Sequence, residues 1–105
     1  MSVLHISFYV PAEYAEKVKS AMFSAGAGKI GNYDSCSFES EGIGQFRALP
    51  GSSPFIGKQD SLEKVRELKV EMVCEGAAIG PVIKAMKDTH PYETPAYYVI
   101  ETLGI

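Results

Sequence analysis

The run Val3 to Val10 (V-L-H-I-S-F-Y-V) alternates without interruption, with Leu4, Ile6, Phe8 and Val10 on one side and Val3, His5, Ser7 and Tyr9 on the other. A strict period of two marks a strand with one defined core face, so the chain must build a sheet and supply something to cover it. The cover follows at once. Pro11 ends the strand and suits the first turn of a helix, where a missing N–H breaks no bond. Tyr14, Val18, Ala21, Met22 and Ala25 then recur at intervals of three and four, opposite Glu13, Glu16, Lys17, Lys19 and Ser20. This spacing predicts an amphipathic helix over Pro11 to Ala25, with Glu13 and Lys17 paired at i, i+4 and Gly26 as its stop.

Glycines punctuate the middle of the chain, at Gly26, Gly28, Gly31, Gly42, Gly44, Gly51 and Gly57. Tyr33 to Glu39 and Ile43 to Ala48 read as the two arms of a bent ribbon, an extra hairpin, followed by a loop from Pro50 to Asp60. The segment Leu62 to Glu75 is ambiguous at its start, where the spacing is helical. Beyond it, Leu68, Val70, Met72 and Cys74 alternate with Lys69, Glu71, Val73 and Glu75, which predicts a strand from about Val65 to Cys74. Ile79, Val82, Ile83 and Met86 fit i, i+3, i+4, i+7 and predict a second helix, with Pro81 tolerated near its start and Pro91 forcing its end. Ala96 to Leu103 has the β-branched and aromatic content of a last strand.

The order strand, helix, strands, strand, helix, strand predicts an α+β fold, a ferredoxin-like sandwich (βαββαβ) in which one antiparallel sheet carries both helices on one face. Residues 1–105 read as a single domain. With 46% hydrophobic and 22% charged residues the composition is that of a globular protein, and a chain of this length buries roughly two-thirds of its unfolded surface. A sandwich of this kind leaves the other sheet face open. On the first strand that face carries Val3, His5, Ser7 and Tyr9, and on the last it is expected to carry Tyr97, Val99, Glu101 and Leu103. So apolar a surface implies a homo-oligomer that buries it.

Charge and ligand stock narrow the function. A net charge of −3 leaves no excess of Lys and Arg to neutralise phosphates, so nucleic acid is not an expected partner. No apolar stretch approaches 18 residues and no charged-then-apolar leader is present, which points to no membrane association and to the cytoplasm. Cys36, Cys74, His5 and His90 are the whole supply of their kinds. A dinuclear metal hydrolase cannot be built from them within one chain, and the short Cys or His spacings of a zinc site are absent. Two lone cysteines without a leader read as buried thiols.

Four local features invite a chemical reading. Gly26 to Gly31 (G-A-G-K-I-G) matches G-x-G-x-x-G, but these glycines follow a helix and open a strand, the reverse of a dinucleotide site, and read as a helix cap and a turn. Cys36, in D-S-C-S-F, shares the phase of Phe38 and reads as a core thiol; its other reading is a nucleophile or ligand contact in a cleft between subunits, which would make the protein a small hydrolase or isomerase. His90 and Glu93, in H-P-Y-E, place an imidazole and a carboxylate three residues apart across a proline-fixed turn. That pair is an acceptable start of a divalent transition-metal site for Cu, Ni, Zn or Co, weakly held and completed by a second subunit. The alternative is a structural turn with His90 capping the helix end. His5, on the open face, falls near the level of Glu101 if the first and last strands pair, and Glu71 can share that face; this is a ligand group or an interface network.

The stretch P-V-I-K-A-M-K-D-T-H-P-Y-E-T-P (Pro81 to Pro95) resembles the helix-turn-strand of the CutA divalent-cation-tolerance proteins. G-A-G-K-I-G-N-Y-D-S-C-S-F (Gly26 to Phe38), with G-I-G-Q-F and G-S-S-P-F-I-G, is similar to the CutA-like domain inserted in YqfO-type members of the NGG-interacting-factor-three family. The resemblance runs from about Val3 to Leu103. It implies a PII/CutA-like fold that assembles as a trimer and serves a regulatory role toward a ligand or a protein partner. It implies no cyclohydrolase activity, because the family's metal site lies in flanking domains. By position it carries over His90, Tyr92 and Glu93. The resulting expectation is a cytoplasmic, non-enzymatic regulatory or ligand-binding protein that binds a divalent cation as a trimer, with Tyr92 and Cys36 as further ligand contacts. A purely structural oligomerisation module is the remaining alternative.

Overall fold

Strand β1 (Val3–Pro11) occupies an interior place in a four-stranded antiparallel sheet of order β2-β3-β1-β4, formed with β2 (Phe38–Arg47), β3 (Leu62–Glu75) and β4 (Tyr97–Glu101). The computed structural model describes residues 3–103. Helices α1 (Ala15–Ser24) and α2 (Ile79–Thr89) each follow a 3-10 turn, Ala12–Tyr14 and Gly76–Ala78 respectively. The chain therefore runs β1-α1-β2-β3-α2-β4, the ferredoxin-like α+β sandwich predicted from the order of its elements.

Alternation in the strands builds the core. Ile6, Phe8 and Val10 of β1 and Val70, Met72 and Cys74 of β3 point to one face, where Val18 and Met22 of α1 and Val82 and Met86 of α2 close over them; all are at most 3% exposed. Each such apolar side chain contributes roughly 1.5–3 kcal/mol relative to exposure. Cys74 belongs to this core, and burial pushes its thiol pKa up. Helix α1 stops where Gly26 takes φ 120°, a conformation that suits a residue without a side chain.

Three expectations are corrected. The two arms of a bent ribbon are one strand, β2, which runs straight through Gly42 and Gly44 and pairs with β3 from Phe38↔Glu71 to Arg47↔Leu62. No hairpin forms between Tyr33–Glu39 and Ile43–Ala48, since Phe38–Arg47 is continuous as β2. These strand glycines are extended rather than turned, and a Cβ on Gly44 would collide with the Glu67 carboxylate. Second, β3 starts at Leu62, so the β2–β3 ribbon continues beyond Pro11↔Glu67, where pairing with β1 ends. Third, the phase of β4 is opposite to that expected. Its register is Leu4↔Glu101, Ile6↔Val99 and Phe8↔Tyr97, so Tyr97, Val99 and Glu101 share the helix-covered face. Tyr98 and Ile100 occupy the open one, and Leu103 lies past the strand. Every residue of Y-Y-V-I is apolar or aromatic, so its pattern carries no phase; only pairing with β1 fixes it.

The open face carries His5, Ser7 and Tyr9 with Lys69, Glu71 and Val73, flanked by Phe38, Tyr98 and Ile100, which are 68%, 57% and 58% exposed. Phe38, expected toward the core, lies on this face opposite Glu71. Among the described residues no helix is long and apolar enough to cross a membrane.

Candidate functional site

The turn between α2 and β4 is organised by His90. Its side chain is buried, Nε2 donates to the Tyr9 carbonyl at 2.7 Å, and Nδ1 accepts the Tyr92 N–H at 3.1 Å. That pairing assigns the Nε2–H tautomer. Burial pulls the imidazole below its ordinary pKa, against the opposing effects of the Tyr9 carbonyl and the Glu67 charge. His90 thus caps α2 through its backbone N–H, which bonds the Met86 carbonyl at 2.9 Å, while its side chain ties the helix end to the far end of β1.

Pro91 carries the chain out of the helix, and Tyr92 swings over the β2–β3 ribbon. Its phenol donates to Glu67 Oε2 at 2.6 Å. Burial, together with the bond to Glu67 and its charge, pushes the phenol pKa up, so Tyr92 is a neutral donor. Glu67 can lie across β2 because Gly44 presents no side chain there.

The segment 48–61 folds back onto the same turn. Asp60 N–H bonds the Ala48 carbonyl at 2.6 Å, and Ser53 N–H bonds Glu93 Oε1 at 2.9 Å. Phe55 sets its ring edge-on to Tyr14 with centroids 5.6 Å apart, while Phe55 and Phe46 flank Tyr92 at 6.4 and 6.1 Å. Between this loop, the turn and the ribbon lies a groove of about 780 Å³. Tyr9, Glu67 and Lys69 reach it from the sheet, Phe46 and Phe55 from the ribbon and loop, and Tyr92 from the turn. An apolar cleft of this size with a few fixed polar groups suits a small organic ligand.

The predicted site residues divide accordingly. His90, Tyr92 and Glu93 come together, His90 as the support behind the groove, Tyr92 and Glu93 in its lining. His90 and Glu93 do not form the expected metal pair: both imidazole nitrogens are engaged, and Glu93 accepts from Ser53. His5 and Glu101 are not brought together, because His5 pairs with Ile100 and Glu101 with Leu4 on the opposite face. Instead, His5 Nε2 lies 3.3 Å from Glu71 Oε1. Cys36 is partly exposed rather than a core thiol, with Sγ 3.6 Å from the Asp34 carbonyl, and it is not part of the groove. Among the described residues no three His, Cys, Asp or Glu side chains group to hold a metal ion, so the donors of one chain do not fit such a centre. Sequence reasoning missed Glu67, Lys69, Phe46 and Phe55. The signal available was the alternation of β3, which sets Glu67 and Lys69 on one face.

No family model matches the chain. It is 49% identical over 92 residues to the GTP cyclohydrolase 1 type 2 homolog of Bacillus subtilis (strain 168), a match that covers 88% of this chain and 25% of that protein. It is 43% identical over 110 residues to the protein of the same name from Halalkalibacterium halodurans, covering 99% and 30%. Among solved structures, a Bacillus cereus protein related to NIF3 superposes with a TM-score of 0.84 at 38% identity, over 97% of this chain and 26% of that one. CutA1 from Pyrococcus horikoshii superposes with a TM-score of 0.70 at 16% identity, over 97% and 85%, a likeness of fold alone. The chain spans between a quarter and a third of the length of these two curated relatives. It is thus a CutA-like domain homologous to one segment of the NIF3-related GTP cyclohydrolase 1 type 2 homologs.

Proposed function

We propose that the chain is a ligand-binding regulatory domain, not an enzyme, and that it works as a homotrimer with the groove as its ligand site. The observation that carries this reading is the fixed Glu67–Tyr92–His90 unit, in which each polar side chain is already held by a neighbour in or behind the wall of a groove that Phe46 and Phe55 also line. A phenol held neutral and an imidazole with both nitrogens engaged are groups for binding and support rather than for proton transfer. The trimer rests on the exposed Phe38, Tyr98 and Ile100 of the open face and on the CutA resemblance. Two free cysteines fit a reducing compartment such as the cytoplasm. A protein partner would read the ligand state through the 48–61 loop that walls the groove.

The test is a thermal-shift screen of small metabolites with mass measurement in solution, repeated on Phe46→Ala. Stabilisation by a compound class that disappears in the variant supports the reading; stabilisation that survives, or none in wild type, overturns the groove as the site.

A cation role has its own observation, the 3.3 Å approach of His5 to Glu71 on the open face. Copies of the chain meeting there would bring together several imidazoles and carboxylates, an acceptable donor set for Cu, Ni, Zn or Co. Calorimetric titration of metal-free protein tests it: heat that vanishes in His5→Ala supports the site, and heat unchanged by that substitution removes it.

A further inference from the structure

The buried His90 imidazole stands where β1, α2 and the turn after α2 meet. Its Nε2–H is spent on the Tyr9 carbonyl and its Nδ1 lone pair on the Tyr92 N–H, while the Phe8 ring packs against it with centroids 6.4 Å apart. A ring nitrogen that accepts a hydrogen bond cannot also carry a proton, so the neutral form is built into this junction. The next residues carry its position outward. Tyr92 holds Glu67 of β3 and sets its ring 6.4 Å from that of Phe55 in the 48–61 loop, and Glu93 holds the Ser53 N–H of the same loop. The locked φ of Pro91 leaves the turn little freedom to absorb a shift between His90 and these contacts.

The charges around the imidazole are few and committed. Lys87 and Asp88, in the last turn of α2, face elsewhere, over the Tyr97 ring and beside Lys84 respectively. β1 presents the Tyr9 carbonyl and the Phe8 ring. Glu67 of β3 favours the charged imidazole, but its carboxylate already accepts from the Tyr92 phenol, on which Glu13 of the first 3-10 turn also acts. Burial outweighs the Glu67 charge and keeps His90 neutral at neutral pH.

We infer that the α2–β4 turn is a proton-operated latch on the 48–61 loop: a proton on His90 Nδ1 sets two N–H groups against each other, displaces Tyr92 and frees the loop from Tyr92 and Glu93. An open turn gives His90 to water, where it takes up the proton at its ordinary value, so opening is favoured by up to about tenfold for each pH unit below 6.5. All of these contacts are made within one chain. The latch goes beyond the ligand reading and does not need it; where a ligand fills the groove, loss of the Tyr92 wall weakens its hold in acid.

The experiment is an NMR titration of the whole chain between about pH 7.5 and 5, which covers the ordinary range of histidine and stops short of the carboxylates. The His90 ring nitrogens, the Tyr92 N–H and the Ser53 N–H are expected to shift with one shared midpoint below 6.5, and cross-relaxation between the Phe55 and Tyr92 rings to disappear beneath it. His90→Gln is expected to remove that midpoint from Tyr92 and Ser53. Glu93→Ala cuts the contacts further along: His90 and Tyr92 keep the midpoint and Ser53 loses it. Circular dichroism confirms that each protein stays folded across the range, and should His90→Gln not fold, Glu93→Ala, at an exposed position, carries the test alone. A Ser53 that does not follow His90, rings that stay in contact through the midpoint, or a His90 that does not titrate down to the lowest pH each overturns the latch. None of these results touches the groove as a ligand site, which the metabolite screen decides.

Discussion

Tyr92 donates a 2.6 Å hydrogen bond to Glu67, joining the turn after α2 to a β3 residue 25 positions earlier in the chain. The bond closes one side of the groove and holds a carboxylate in a partly buried place. Removing the donor leaves that carboxylate short of a partner, and a bond to a charged group at such a site stabilises by about 1–3 kcal/mol. Tyr92→Phe is therefore expected to lower stability by an amount near the bottom of that range, because water reaches the site in part. Urea denaturation measures it. An unchanged midpoint would show that the bond contributes nothing beyond what water supplies.

Gly44 is coupled to the same pair, since any side chain there displaces the Glu67 carboxylate. Gly44→Ala is expected to destabilise by at most about 1 kcal/mol, the cost of straining the Tyr92–Glu67 bond, because the group in the way is the movable end of a long side chain. The diagnostic is non-additivity. In a Glu67→Ala background the alanine at position 44 meets no carboxylate, so most of its penalty should disappear, and a double-mutant cycle reads the difference directly. Strict additivity would mean that strand geometry, not Glu67, demands the glycine.

The buried His90 gives a pH dependence with a definite sign. Its pKa is lowered from an ordinary 6.5, so between the folded and unfolded values the unfolded chain binds the extra proton. The folded state is then fully favoured above about pH 6.5 and loses this contribution as pH falls toward the folded value. Geometry gives the reason: protonation puts an N–H on Nδ1, face to face with the Tyr92 N–H that it now accepts. Stability is expected to fall between pH 7 and 5, with the slope reduced in His90→Gln, and nitrogen chemical shifts should report the Nε2–H tautomer at pH 7. A His90 that titrates at or above its ordinary value would remove this account.

The fold was legible because period-two and period-3.6 patterns in Val3–Val10, Tyr14–Ala25 and Ile79–Met86 each had a single solution. The failures have local causes. Gly42 and Gly44 look like breaks, yet both are strand residues, and Gly44 makes room for Glu67, a side chain 23 positions beyond it. H-P-Y-E reads as a metal pair because short spacing suggests convergence, whereas His90 is spent on Tyr9, a residue far away in sequence and near in space. The groove itself needs β2, β3, the 48–61 loop and the α2–β4 turn at once, and no linear pattern announces such a meeting. Its one sequence trace was the shared phase of Glu67 and Lys69.

The corrected phase of β4 makes a sharp forecast for the proposed trimer. Ile100 pairs with His5 and stands on the open face, while its neighbour Val99 pairs with Ile6 and turns toward the helices. A carboxylate introduced at Ile100 would be repeated in every copy and set against an apolar partner surface, and like charges brought together at an interface cost several kcal/mol. Ile100→Glu is therefore expected to raise the dissociation constant of the assembly by about a hundredfold or more while leaving the monomer folded. Val99→Glu, on the other face and 38% exposed, should instead leave the assembly intact and change the melting temperature little. Light scattering across a dilution series and thermal melts separate the two effects. Dissociation by Val99→Glu alone would place the subunit contact on the wrong face of β4 and overturn the open-face assembly.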